Sequence, residues 1–308
     1  MAPQANSLKR FIYLSIAAAF ATISIKFLAW FLTGSVGLLS DALESCVNLI
    51  AAIIALIMIT LSEKPADKEH AFGHNKAEYF SSAIEGGMIV LAAFSIIYSA
   101  VPRVIHPQPI ENVGIGLLVA LGASVINLIV ARILLNHGRK SNSIALEADG
   151  KHLLTDVYTS AGVLIGIGLV KLTGLMVLDG IIAIGVALNI LWAGYQLMRR
   201  SAMGLLDSGI PENERLKIVE TLESFKSRGI GFHSLMTRQA GQRKFIAIHL
   251  LLPGTLTLQQ GHITAEEIER KIRDIFDVPV TVFSHLEPAE DPVSMYDIGI
   301  DRSDSLIK

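Results

Sequence analysis

The stretch Asp149-Gly150-Lys151-His152-Leu153-Leu154-Thr155-Asp156, followed by the apolar run 157–172, decides how this chain is read. His152 and Asp156 are four residues apart, so a helix through them presents both on one face. The run that follows is apolar enough to sit in lipid, where an ionisable pair is expensive and marks an ion or proton path. A second segment, Asp41-Ala42-Leu43-Glu44-Ser45-Cys46-Val47-Asn48, has a similar arrangement, with Glu44 and Asn48 also four apart. Two helices that each offer two ligands can close a four-coordinate metal site inside a membrane.

The composition agrees with that setting. Of 308 residues, 51% are hydrophobic and only 18% charged, and mean hydropathy is +0.51, beyond what a soluble domain normally carries. A net charge of −2 gives no sign of a nucleic-acid partner. The single cysteine, Cys46, excludes an intramolecular disulfide framework and a Cys-rich zinc module. Lys9 and Arg10 lead into an apolar run too long for the core of a cleaved signal, and no small-residue cleavage site follows.

A bilayer core needs roughly 20 mostly apolar residues per helix. By that measure the chain holds six spans: 11–32, 36–61, 79–101, 113–135, 155–172 extended back to about 144, and 178–197. Thr33-Gly34-Ser35 is a tight turn, Pro107 and Pro109 punctuate the third connection, and Gly174 marks the fifth. Lys26, Glu85 and Arg132 fall inside spans, where interhelical pairing or snorkelling accounts for them without a metal. Lys9, Arg10, Lys64, Lys68, Lys76, Arg139, Lys140, Arg199 and Arg200 flank one side of the six-span arrangement, against Arg103 and Lys171 on the other. The Lys/Arg bias places both termini in the cytoplasm.

From about Asp207 the pattern changes. Pro211 with Glu212 and Glu214 reads as a helix start, and 214–225 has helical spacing. Segments 234–238, 244–252 and 278–286 read as strands and 264–276 as a second helix. The division expected is a six-span domain over 1–207, a small cytoplasmic α+β domain over 208–291 and a loosely held tail over 292–308.

Six spans, cytoplasmic ends, the His152/Asp156 pair and a C-terminal α+β domain together resemble the cation diffusion facilitator family, in particular its bacterial zinc/iron efflux branch. The loop Pro65-Ala66-Asp67-Lys68-Glu69-His70-Ala71-Phe72-Gly73-His74-Asn75-Lys76-Ala77-Glu78 and the segment Thr237-Arg238-Gln239-Ala240-Gly241 are similar to that branch as well. The resemblance covers about 8–288. It implies a homodimer in the bacterial inner membrane that exchanges a divalent transition metal, Zn²⁺ first and Fe²⁺, Co²⁺ or Mn²⁺ after it, for protons. It also implies that the C-terminal domain is ferredoxin-like, as in metallochaperones.

By that resemblance the transport ligands are Glu44, Asn48, His152 and Asp156. Zinc-transporting relatives usually carry His or Asp in place of Glu44 and Asp in place of Asn48. An imidazole in the set still favours Zn²⁺, Fe²⁺ or Co²⁺ over Mg²⁺ and Ca²⁺. Asp41 and Asp149, one turn earlier, orient ligands or cap helices. The resemblance implies a second metal at Asp67, His70 and His74. It implies a regulatory metal site at His233, His249, His262, His285 and Glu287, where Glu287 replaces the usual Asp, and an inter-domain charge pair between Lys76 and Asp207. The bland alternatives are a hydrogen-bonded polar pair, a solvated loop and ordinary surface histidines. His106 and His137 read as interfacial residues.

Two other function classes compete. An intramembrane metalloenzyme would need a catalytic metal and nucleophile, but no H-E-x-x-H occurs in any span and no Ser or Cys nucleophile constellation is visible. A metal-binding sensor or scaffold that does not transport is kept open by Asn48. The expectation is a transporter rather than an enzyme.

Overall fold

A computed structural model describes residues 5–33, 36–107 and 114–295 of the chain. The Gly34-Ser35 turn, Pro109, the expected span start at Val113 and the tail from 296 onward lie outside the described residues. So do the side chains of Asp41, Glu44 and Lys171, although each belongs to a helix. The chain divides into two compact units, Met1–Met203 and Gly204–Lys308.

The first unit is all helical: α1 (Ala5–Thr33), α2 (Val36–Ser62), α3 (Ala77–Ile105), α4 (Gly114–Ser141), α5 (Ile144–Thr173) and α6 (Val177–Leu205). By length and apolar composition, the described residues of five of these suffice to cross a membrane; in α2 they give the shorter apolar helix Asn48–Ser62. Helices satisfy every backbone group internally, which lipid requires. Large apolar side chains such as Phe31, Leu91, Tyr98 and Leu118 are exposed on the outside, as suits a surface that faces acyl chains.

Without a hydrophobic force between helices in lipid, packing rests on small residues and polar pairs. A Cβ added at Gly150 would lie 2.9 Å from Leu135 Cγ and 3.2 Å from the Ala131 carbonyl, so α5 approaches α4 closely through its glycine. Gly86 does the same for α3 and α6, where a Cβ would lie 2.8 Å from Met198 Cγ. Polar pairs tie the helix ends. Ser143 caps α5 by accepting from Leu146 N–H and donates to buried Glu78 of α3 at 2.6 Å. Arg200 of α6 donates to Glu147 of α5 at 2.6 Å. Gly174, at φ +72°, ends α5 in the left-handed conformation that glycine adopts without strain.

The second unit runs α7 (Glu212–Glu223), a 3-10 turn at Lys226–Arg228, β1 (Gly231–Ala240), β2 (Arg243–Leu252), α8 (Leu258–Arg273), β3 (Val280–Pro288) and a 3-10 turn at Pro292–Met295. The sheet order is β1-β2-β3, with β1 and β2 antiparallel and β2 and β3 parallel through the α8 crossover. This is the small α+β domain expected. Ile246, Ile248, Leu250 and Leu252 alternate along β2 onto the helix-covered face, where Ile218 and Leu222 of α7 and Ile268 and Ile272 of α8 meet them.

Several boundaries differ from the expectation: β1, for one, runs Gly231–Ala240 where 234–238 was expected. Helix α8 begins at Leu258 rather than 264, because Thr257 and Gln260 form a reciprocal capping box that starts the helix two turns earlier. Pro211 is the N-cap of α7, at the helix start expected.

Candidate metal-transport site

Helix α5 carries His152 and Asp156 on one face, and α2 brings Asn48 between them. His152 Nε2 and Asn48 Oδ1 are 2.7 Å apart, and Asn48 Nδ2 donates to Asp156 Oδ2 at 2.6 Å. Because the Asn48 amide nitrogen faces a carboxylate, its oxygen faces the ring, and Nε2–H is the donor. A third helix enters the same arrangement. Asn127 of α4 donates from Nδ2 to Asp156 Oδ2 at 3.2 Å. His152, Asn48 and Asn127 are all buried.

Beside them is a polar cavity of about 30 Å³ whose walls include Lys26, Ser45, Asn48, Ser124, Asn127 and Asp156. A water needs roughly 10–15 Å³ on this measure, so the cavity has the size for a single small ion. Lys26 Nζ donates to Ser45 Oγ at 2.8 Å, which turns this buried cation towards α2. Of the four transport ligands expected, the structure brings Asn48, His152 and Asp156 together; the Glu44 side chain lies outside the described residues. Asn127 was not among the expected residues. The signal for it was an amide inside the apolar run Val125-Ile126-Asn127-Leu128-Ile129.

The loop between α2 and α3 gathers Asp67, His70 and His74. Asp67 Oδ1 accepts from Glu69 N–H at 3.0 Å and His70 N–H at 2.7 Å, an Asx turn that folds the loop back on itself. Gly73, at φ +83°, supplies the left-handed residue before His74. Asp67 then lies 3.3 Å from His70 Nδ1 and 3.4 Å from His74 Nε2, and ligand atoms of all three residues fall within 4.8 Å of one another. Zn–N and Zn–O bonds of about 2.1 Å put tetrahedral donors roughly 3.4 Å apart, so this donor set fits such an ion. The His70 backbone N–H above all holds the Asp67 carboxyl below its ordinary value of 3.8.

In the second unit the sheet register does the gathering. His233 pairs with His249 across β1 and β2, and His249 pairs with His285 across β2 and β3, so three imidazoles stand abreast. They lie on the face opposite the core, as the alternation of β2 dictates. Glu287, two residues beyond His285, shares that face and reaches back between them. It lies 2.7 Å from His233 Nε2, 3.2 Å from His249 Nδ1 and 3.6 Å from His285 Nε2. Ligand atoms of His233, His249 and Glu287 fall within 4.8 Å of one another, so these three fit a metal as well. His262 is not brought into this group. The early start of α8 puts it on an exposed helical position, where its side chain makes no hydrogen bond, ion pair or ring contact among the described residues. Asp207 accepts from Arg238 at 2.9 Å within its own unit.

Membrane-length helices enclosing a His–amide–carboxylate cluster, followed by a small α+β domain with a histidine row, define an integral-membrane carrier of metal cations. The comparisons agree on the class. Residues 12–206 match the cation efflux transmembrane domain, and residues 210–289 match the cation efflux protein cytoplasmic domain. An uncharacterized transporter of Synechocystis sp. is 47% identical over 281 residues, covering 91% of this chain and 90% of the relative. The cation-efflux pump FieF of Salmonella arizonae is 34% identical over 260 residues, covering 83% and 85%. FieF of Klebsiella pneumoniae is 33% identical over 257 residues, with the same coverage of each chain. The chain belongs to the cation diffusion facilitator family and is a metal-cation efflux transporter.

Proposed function

We propose that the protein exports divalent transition-metal ions from the cytoplasm in exchange for protons, with Zn²⁺ the first candidate and Fe²⁺, Co²⁺ and Mn²⁺ beside it. The observation that carries this reading is the chain from His152 through Asn48 to Asp156, which joins α5 to α2 inside an apolar bundle. A metal needs the imidazole nitrogen without its proton and the carboxylate ionised, so an ion entering there replaces the Nε2–H···Oδ1 bond and releases protons. Protons returning from the other side displace the ion. Exposure of one site to each side in turn then couples the two flows. Glu44, one turn before Asn48 on α2, completes the ligand set in this reading.

The protein works as a homodimer in the inner membrane with both termini cytoplasmic; the match to the family's cytoplasmic dimer domain and the Lys/Arg bias support this. The transport domain spans 1–207, the regulatory and dimerisation domain 208–291 and the tail 292–308. Asp67, His70 and His74 hold a second ion. His233, His249, His285 and Glu287 hold a regulatory metal, with His262 supplied across the dimer.

The test is metal flux in proteoliposomes under an imposed pH gradient, with the wild type beside Asp156→Ala. Gradient-driven flux that Asp156→Ala abolishes supports the exchanger. Flux indifferent to both the gradient and Asp156 overturns it and leaves a channel or a binding protein.

A further inference from the structure

The two asparagines around Asp156 differ in what their oxygens do. Asn48 Oδ1 is engaged by His152, whereas Asn127 Oδ1 is buried, the residue being only 4% exposed, and has no hydrogen-bond partner among the described residues. The assignment of that oxygen does not rest on choice. Asn127 Nδ2 faces Asp156 Oδ2, and an ionised carboxylate only accepts, so the other end of the amide is the carbonyl. Asn127 also lines the cavity beside Asp156 and Asn48. An unsatisfied carbonyl buried in a bundle is costly to keep, and the cavity beside it is where a partner for it fits.

We propose that Asn127 is a fifth member of the transport site, whose amide oxygen ligates the cation and brings α4 into the coordination sphere. This rests on the reading of the cavity as the transport site and extends it to the choice of ion. The donors are then the His152 nitrogen that meets Asn48, the amide oxygens of Asn48 and Asn127, the Asp156 carboxylate and, in the reading above, Glu44. Such an oxygen-rich set with more than four members suits ions that take high coordination numbers on carbonyl and carboxylate oxygen, Mn²⁺ above all, and is less needed by Zn²⁺, which is content with four ligands. Asn127 is therefore the residue that shifts the site towards Mn²⁺.

The experiment measures Mn²⁺ and Zn²⁺ binding to the purified full-length protein by titration calorimetry, for the wild type, Asn127→Leu, Asn127→Asp and Asp156→Ala. To keep the other sites silent, all four carry Asp67→Ala and Glu287→Ala. Asn127→Leu is expected to weaken Mn²⁺ binding roughly tenfold or more while Zn²⁺ binding changes by less than about threefold. Asn127→Asp, which keeps the oxygen and the volume, is expected to hold or tighten Mn²⁺ binding. Equal losses for both ions in Asn127→Leu would mean a packing role and overturn the proposal, as would no loss at all. Loss of Mn²⁺ binding in Asn127→Asp would overturn it independently. Binding that survives Asp156→Ala would instead sink the transport-site reading itself, so the two failures are distinguishable.

Discussion

Asn48 and Asp156, on separate helices, are joined by a 2.6 Å hydrogen bond from the amide nitrogen to the carboxylate. An aspartate at position 48 could not make that bond while both side chains are ionised. The amide instead accepts from His152 with one end and donates to Asp156 with the other, so it links the two α5 residues across α2.

Asn48→Asp removes this link and places a second carboxyl beside Asp156, the two sharing a proton until an ion displaces it. Zn²⁺ binding should tighten on the order of tenfold, equivalent to about 1.4 kcal/mol. The ion should also release one further proton on binding, because a titratable ligand replaces one that cannot titrate. Calorimetry in buffers of different ionisation enthalpy reads both quantities. Unchanged proton release would show that position 48 does not face the ion.

Gly150 sits two residues before His152, against Leu135 and Ala131 of α4. Gly150→Leu should push α5 from α4 and cost about 1–3 kcal/mol in overpacking. Thermal unfolding in detergent should fall accordingly, and flux should fall with it because Asn127 and Asp156 separate. Wild-type melting and flux in Gly150→Leu would show that the close approach of α4 and α5 is not what assembles the cavity.

Glu287 is the carboxylate that meets all three imidazoles of the sheet face. Saturating Zn²⁺ at about 100 times its dissociation constant should stabilise the wild-type cytoplasmic unit by about 2.7 kcal/mol. Glu287→Gln should remove most of that increment yet leave gradient-driven flux through α2 and α5 measurable. A full Zn²⁺-induced shift in the variant would assign the stabilisation to other groups.

Asp67 has a carboxyl held below 3.8 by the His70 and Glu69 N–H groups. The ionised form is the one the folded loop favours, so its contribution is present above 3.8 and is lost only as pH falls below that value. At neutral pH Asp67 therefore has no proton to give up when the loop takes a metal. Asp67→Asn should weaken loop binding without altering proton release per ion, compared by calorimetry at pH 6 to 8, on the order of one unit either side of neutrality. A change in proton release would contradict the ionised state.

What could be read from the chain without its fold was whatever depends on local spacing and on solvent preference. Long apolar runs, each enough to cross a bilayer, declare the helices because lipid leaves the backbone no other partner. His152 and Asp156 share a face by helical period alone, and His285 and Glu287 share one by strand alternation alone. The capping box at Thr257 and Gln260 is equally local, and it is what places His262 on a helix.

Tertiary structure decided everything that depends on which element lies beside which. The parallel pairing of β2 and β3 sets His249 against His285, and a one-residue slip would have turned one of them towards the core. Asn127 joins Asp156 because the glycine at 150 lets α4 lie close to α5, and no period along α4 could have announced it. Residues near in sequence meet by geometry that the chain carries in its own period. Residues 29 positions apart, as Asn127 and Asp156 are, meet only when packing brings their helices together.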